Sequence, residues 1–194
     1  MTLTVGILVF DGVDELDFVG PLDVFAYAAM LSQNKGRIVT IGTRTGPLQG
    51  GNGLRFLTDH NIVDAPPLDV LIIPGGSGTD QLVDEQPVLD WIRETAAAAT
   101  WLCSVCSGSF VLQAAGLVEG RRITTHSMGV ERLRLANSGH PVENQRYVVD
   151  GNMVTSQGVS AGIDMSLWVV GQLYGEDHAR TVRAYLDYNP EPPF

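Results

Sequence analysis

The sequence predicts an α/β domain with a doubly wound, mostly parallel central sheet, and three observations carry that expectation. Short apolar runs alternate along the chain with longer segments of helical periodicity. One run, Leu68-Asp69-Val70-Leu71-Ile72-Ile73-Pro74, is almost continuously apolar, as suits a parallel strand covered on both faces. Another, Thr100 to Val105, stops at a cysteine and restarts as a helix, which places chemistry at the carboxyl ends of strands.

Taken in order, Leu3 to Phe10 reads as a buried strand, and Asp11 to Asp17 as an acidic loop leading to Gly20-Pro21. Proline there is expected to open a helix, since Leu22, Phe25, Ala26, Ala29 and Met30 recur at helical spacing to about Ser32. Ile38 to Thr43 is the next strand, Gly46 to Gly53 is turn-rich, and Leu54 to Leu57 suits a short strand. Pro66-Pro67 breaks the chain before the central strand, after which Gly75-Gly76-Ser77-Gly78 leads into a helix through Val88, Leu89, Trp91 and Ile92. Beyond the cysteine, Phe110 to Ala115 reads as a helix ended by Gly116. Ile123-Thr124-Thr125-His126 precedes another from about Ser127 to Ala136. Arg146 to Val149 and Met153 to Ser156, joined at Asp150-Gly151-Asn152, form a predicted hairpin. A long helix from Ala161 to about Tyr174 and another through Tyr188 follow, and the proline-rich tail Asn189 to Phe194 is expected to be extended.

At 194 residues the chain fits one domain, with ample length for a full core. Twelve basic residues against twenty-two acidic ones give a net charge of −10, which disfavours nucleic acid and anionic membranes as partners. Only two cysteines occur, no basic leader precedes an apolar segment, and no apolar run nears the ~20 residues that span a bilayer. These features predict a cytoplasmic protein.

Cys106 sits at the joint between the Thr100–Val105 strand and the helix after it, with Ser104 and Gly108 supplying small neighbours. Such a turn exposes the sulfur, and the N–H groups at the start of the helix favour thiolate over thiol. Cys106 is therefore the candidate nucleophile. Cys103 and Cys106 also spell C-x-x-C. Three steps of extended strand cover about 10 Å, beyond the roughly 7 Å that a disulfide spans. His60, His126, His140 and His178 show no paired ligand spacing, so no metal is expected. The Gly75-Gly76-Ser77-Gly78 loop lacks the lysine and spacing of a phosphate loop, but its glycines allow an N–H to approach a substrate as an oxyanion site requires. Gly158-Val159-Ser160-Ala161-Gly162 is a literal G-x-S-x-G. No later strand brings an acid and a histidine to that serine, so close packing at a helix start is the better reading. Asp17, Glu15, Asp14 and His126 are all candidates for moving protons to and from Cys106, and spacing does not choose among them.

The motifs Leu16-Asp17-Phe18-Val19-Gly20-Pro21, Ile73-Pro74-Gly75-Gly76, Ser104-Val105-Cys106-Ser107-Gly108-Ser109, Thr124-Thr125-His126, Ala161-Gly162-Ile163-Asp164 and Pro192-Pro193-Phe194 together resemble the ThiJ/PfpI family of the class I glutamine amidotransferase-like superfamily. The likeness covers nearly the whole chain and is nearest to the isocyanide hydratase branch. It implies one flavodoxin-like sandwich over residues 1–194, a homodimer, and no cofactor. It also implies Cys106 as nucleophile, Asp17 rather than Glu15 as its acidic partner, and N–H groups of Gly76 and Ser107 facing the reacting atom. His126 and Gly20 are the further substrate-side positions. The implied reaction turns a small-molecule isocyanide and water into an N-formyl amine. Two departures bear on this. The branch typically carries threonine where this chain has Ser107, which keeps the hydroxyl without the methyl that fixes its rotamer, and its chains continue past the Pro-Pro-Phe. An amidase, peptidase or glyoxal-type hydrolyase at the same site, and a non-catalytic cysteine-based redox sensor or ligand-binding module, are the alternatives.

Overall fold

A computed structural model of the chain describes residues 2–33 and 36–190. In chain order the elements are β1 (Leu3–Val9), α1 (Glu15–Leu31), β2 (Gly36–Gly42), β3 (Leu48–Gln49), β4 (Arg55–Phe56), β5 (His60–Asn61), β6 (Val70–Ile73), α2 (Thr79–Leu82) and α3 (Gln86–Ala98). They continue with β7 (Trp101–Val105), α4 (Gly108–Ala114), β8 (Arg122–Ile123), a 3-10 turn (Ser127–Gly129), α5 (Val130–Ala136), β9 (His140–Pro141), β10 (Tyr147–Asp150), β11 (Met153–Ser156), α6 (Ala161–Tyr174) and α7 (Glu176–Tyr185).

The main sheet has the order β10-β11-β7-β6-β1-β2-β5. Every pairing in it is parallel except that of the β10–β11 hairpin. Ile7, Ile72, Cys103 and Val154 stand in register on four adjacent strands, and all four side chains are buried. That row explains the unbroken hydrophobicity of the central strands, since helices cover both faces and leave neither to water. Helices α1, α6 and α7 pack on one another, and α4 meets both α2 and α3. The result is the α/β flavodoxin-like architecture the sequence predicts. Among the described residues no helix is long and apolar enough to cross a membrane.

Several boundaries differ from expectation. Helix α1 starts at Glu15, six residues before Pro21, which lies inside it. Asp14 is the cap, its carboxylate accepting the Leu16 N–H at 3.1 Å, and Glu15 and Asp17 place acid in the first turn. Pro21 removes only the bond that would have reached the Asp17 carbonyl, so the helix continues through it. Asp17 therefore belongs to a helix and not to a loop. The helical stretch after Gly78 divides into α2 and α3, with Pro87 in the opening turn of the second. The expected strand at Leu54–Leu57 shrinks to Arg55–Phe56, paired with Leu48–Gln49 in a hairpin outside the main sheet. The two-residue strands β5, β8 and β9 are too short to leave a periodic signal. Helix α7 ends at Tyr185, short of Tyr188. Of the expected extended tail, Asn189 and Pro190 have no regular structure and Glu191 to Phe194, with the Pro-Pro-Phe motif, lie outside the described residues.

Candidate active site

The segments that follow β1, β6 and β7 converge at one end of the sheet, beside the point where the strand order reverses between β1 and β6. The β1–α1 loop and the β6–α2 loop are stitched together by a Val13–Gly76 bridge and by the Asp14 N–H, which donates to the Gly75 carbonyl at 2.9 Å. Gly76 has φ +125°, and a Cβ there would stand 2.3 Å from the Gly12 carbonyl oxygen. Only glycine fits. At Gly75 a Cβ would meet the Ser107 nitrogen at 2.6 Å and Asp17 Oδ2 at 2.8 Å, so this glycine lets three segments close on one point.

Cys106 occupies that point with φ +54°, a left-handed conformation that non-glycine residues seldom adopt. Hydrogen bonds hold it there on both sides. Its N–H donates to the carbonyls of Ser156 and Gln157 at 3.2 and 3.3 Å, and its carbonyl accepts from the hydroxyls of Thr125 and Ser109 at 2.9 and 3.1 Å. The strained turn foreseen at the strand–helix joint is present.

Asp17 is fully buried. Its Oδ2 accepts the Gly75 N–H at 2.9 Å, and its Oδ1 has no hydrogen-bond partner among the described residues. Burial, and secondarily the charge of Asp14, push its carboxyl up to about 7, against the pull of the Gly75 N–H, the Cys106 thiol and the Val159 N–H beside it. Cys106 is pushed up to about 12, first by burial and then by the charge on Asp17, while the N–H and hydroxyl of Ser107 pull the other way. This corrects the expectation of a thiolate favoured by the helix start. Helix α4 is only seven residues long, and burial beside a carboxylate outweighs its N-terminus. The charge on Asp17 thus acts directly on the Cys106 thiol. An ionised Asp17 keeps the proton on sulfur, and a proton moved to Asp17 removes that opposition.

Cys106 opens on a cleft of about 400 Å³ lined also by Asp14, Gly76, Ser107, Val159, Phe110, His126, Met128, Gly129 and Arg132. Gly76 and Ser107 both line the cleft, but the Gly76 N–H donates to the Ser107 hydroxyl at 3.0 Å and so is taken up within the site instead of facing a reacting atom as expected. Asp14 lines the cleft while capping α1. His126 lines it too, but its Nδ1 accepts the Met128 N–H at 3.2 Å, and its ring packs so closely on Gly158 that a Cβ there would come within 2.1 Å. Glu15 is elsewhere. Its carboxylate accepts from Asn52 and from the Leu54 N–H, holding the β3–β4 hairpin on the start of α1. Gly20 is a further correction: it is buried in α1, where a Cβ would press on Ile163 of α6 at 3.1 Å, and it does not line the cleft.

Gly158-Val159-Ser160-Ala161-Gly162 forms the β11–α6 turn. Ser160 Oγ takes hydrogen bonds from Arg146 and is not part of the cleft, and a Cβ on Gly162 would meet Val105 at 3.0 Å. Val159, which sequence reasoning missed, has φ +50°, an outlier for a β-branched residue, and it turns its N–H toward Asp17. Nothing in its side chain signals this; the preceding Gly158 is the only sequence trace. Phe110 and Arg132 were missed as well, because they enter the cleft from helices whose local pattern is that of ordinary packing and solvation. Among the described residues no three His, Cys, Asp or Glu side chains gather as metal ligands would.

Known proteins share this arrangement of elements. A ThiJ/PfpI family protein from Pseudomonas syringae superposes with a TM-score of 0.91 at 31% identity, covering 100% of this chain and 78% of that one. Drosophila melanogaster DJ-1beta shares the fold at a TM-score of 0.85 and 21% identity, over 97% of this chain and 100% of its own. An isonitrile hydratase from Pseudomonas putida is 39% identical over 194 residues, 100% of this chain and 82% of that protein. The model of the DJ-1/PfpI family matches residues 3–172, a span that contains every segment converging on Cys106 and Asp17, and the chain belongs to that family.

Proposed function

We propose that this protein is an isocyanide hydratase-like hydro-lyase, a single ThiJ/PfpI-type domain over residues 1–194 that adds water to a small-molecule isocyanide without a cofactor. The observation that carries the reading is the buried Asp17 carboxyl, poised near neutrality beside the Cys106 thiol at the head of a small cleft. The 39% identity to an isonitrile hydratase supports it.

The chemistry follows from proton sharing. As the Cys106 sulfur bonds to the terminal carbon of R–N≡C, its proton passes to Asp17, and Asp17 returns that proton to the same carbon to give the thioimidate R–N=CH–S. Water adds to this carbon, the nitrogen takes a proton, and the C–S bond breaks with a proton returning to sulfur. The product is R–NH–CHO, and the thiol is regenerated. Ser107, whose N–H and hydroxyl act on the Cys106 sulfur, steadies the charge that develops beside it, and the Gly76 N–H holds that hydroxyl in place. The test is formamide production from an aryl isocyanide by wild type and by Cys106→Ser. Turnover lost with the sulfur supports the reading, and a folded wild type that yields no formamide from any simple isocyanide overturns it.

A homodimer belongs to the same proposal. Leu16, Leu54 and Leu57 are exposed, and Glu15 brings the hairpin carrying the last two to the start of α1. A second copy covering these leucines would remove an apolar surface from water. Two unpaired cysteines fit a reducing compartment such as the cytoplasm.

A further inference from the structure

Resting on the hydratase reading, we propose that Arg132 is a carboxylate-binding residue of the Cys106 cleft, so that favoured substrates carry an anionic group on the substituent opposite the reacting carbon.

Arg132 lies on α5, one wall of the cleft, and is the one arginine or lysine among the described residues that line it. Two contacts fix its guanidinium. It lies over the Phe110 ring with 4.2 Å between the guanidinium carbon and the ring centroid, and its Nη1 donates to Asp80 of α2 at 2.6 Å. Stacking on an aromatic face orients the plane and restricts the long side chain, so less freedom is lost when a ligand is gripped. Nε and Nη2 have no hydrogen-bond acceptor among the described residues. Asp80 is itself two-thirds exposed, so its single contact leaves most of the fork's donors for a planar anion.

The rest of the cleft sets the polarity. Asp14 stands close enough to raise the proton affinity of both Asp17 and Cys106, so the reacting end is acidic. A substrate with a neutral isocyano head and an anionic tail fits in one orientation only, head at Cys106 and tail at Arg132. The reverse orientation sets carboxylate against carboxylate. On a chain of net charge −10, a fixed local cation is also what would draw an anionic substrate into this cleft.

The test uses Cys106 as its own reporter. Wild type, Arg132→Gln, Arg132→Lys and Asp80→Asn are labelled with N-phenylmaleimide and with N-(4-carboxyphenyl)maleimide at low and high salt, and the ratio of the two rates is read. The carboxylate reagent is expected to be favoured in wild type, with the ratio falling about threefold to tenfold in Arg132→Gln, as loss of one half-exposed ion pair predicts. Lysine should restore part of it, Asp80→Asn should raise it, and salt should flatten it. A ratio that is the same in wild type and Arg132→Gln, or that does not rise in Asp80→Asn, overturns the proposal. Because labelling needs only the thiol, a failed hydratase reading shows as no formamide with the ratio pattern intact. A failed carboxylate site shows as a flat ratio whatever the turnover.

Discussion

Two turns of the same kind stand side by side in this molecule. Strands β7 and β11 are paired in parallel, and each runs into a helix through a non-glycine residue of left-handed backbone, Cys106 at φ +54° and Val159 at φ +50°. The motif conventionally tied to a nucleophile, G-x-S-x-G, sits in the second turn, while the sulfur sits in the first. What separates them is the surroundings. Cys106 opens on the cleft with a buried carboxyl beside it, whereas Ser160 is engaged by Arg146 away from the cleft. A strained turn therefore displays whatever the neighbouring segments leave exposed, and a spacing pattern alone does not say which of two such turns is reactive.

The largest expected effect separates the two turns outright. Cys106→Ser should lower isocyanide turnover by at least about 10⁴-fold, while Ser160→Ala should stay within about twofold; comparable losses in both would make the turns equivalent. Next comes the carboxyl that lies beside the sulfur. Asp17→Asn should lower kcat by roughly 10²–10⁴-fold. It should also remove a rise in Cys106 labelling rate that wild type shows as pH climbs through about 7, where the pair reaches its singly protonated form. A wild-type profile flat from pH 5 to 9 would count against proton sharing.

The same carboxyl has a stability signature. Its folded pKa, about 7, is raised above the ordinary value of 3.8, so the folded state binds this proton more tightly than the unfolded state. That contribution is fully present below about pH 4 and is lost as pH rises to about 7. Asp17→Asn should therefore be more stable than wild type above pH 7, by up to roughly 4 kcal/mol, with the difference vanishing near pH 4. Urea titrations at pH 4 and pH 8 read this directly. The smallest effect tests the shared backbone. Cys106→Gly should exceed Cys106→Ala in stability by about 1 kcal/mol, because only glycine adopts a left-handed φ without strain, and equal midpoints would show the turn to be relaxed.

The sheet was legible because its strands are buried on both faces, and Val70 to Ile73 and Trp101 to Val105 are apolar enough to announce it. Cys106 was legible from the abrupt change of pattern at the strand's end. The true start of α1 was obscured because Pro21 is a strong local signal, although Asp14, Glu15 and Asp17 together carried the cap and acidic first turn that outweigh it. Asp17 could not be separated from Glu15 by spacing, since the choice depends on the distant Asn52 and Leu54 that occupy Glu15. Val159 ran against its own propensity, held by neighbours rather than by its side chain, and Arg132 became a cleft residue only through the placement of Phe110 and Asp80.

The burial of Cys103 in the row formed by Ile7, Ile72 and Val154 turns the protein into its own folding gauge. With that thiol sealed in the hydrophobic core and its proton held more tightly by burial, the native chain should react with a disulfide reagent at a stoichiometry of one, and the unfolded chain at two. The second equivalent then arrives only as fast as the central strands part, so a colorimetric thiol count reports the opening of the sheet and the reactivity of the cleft in a single trace.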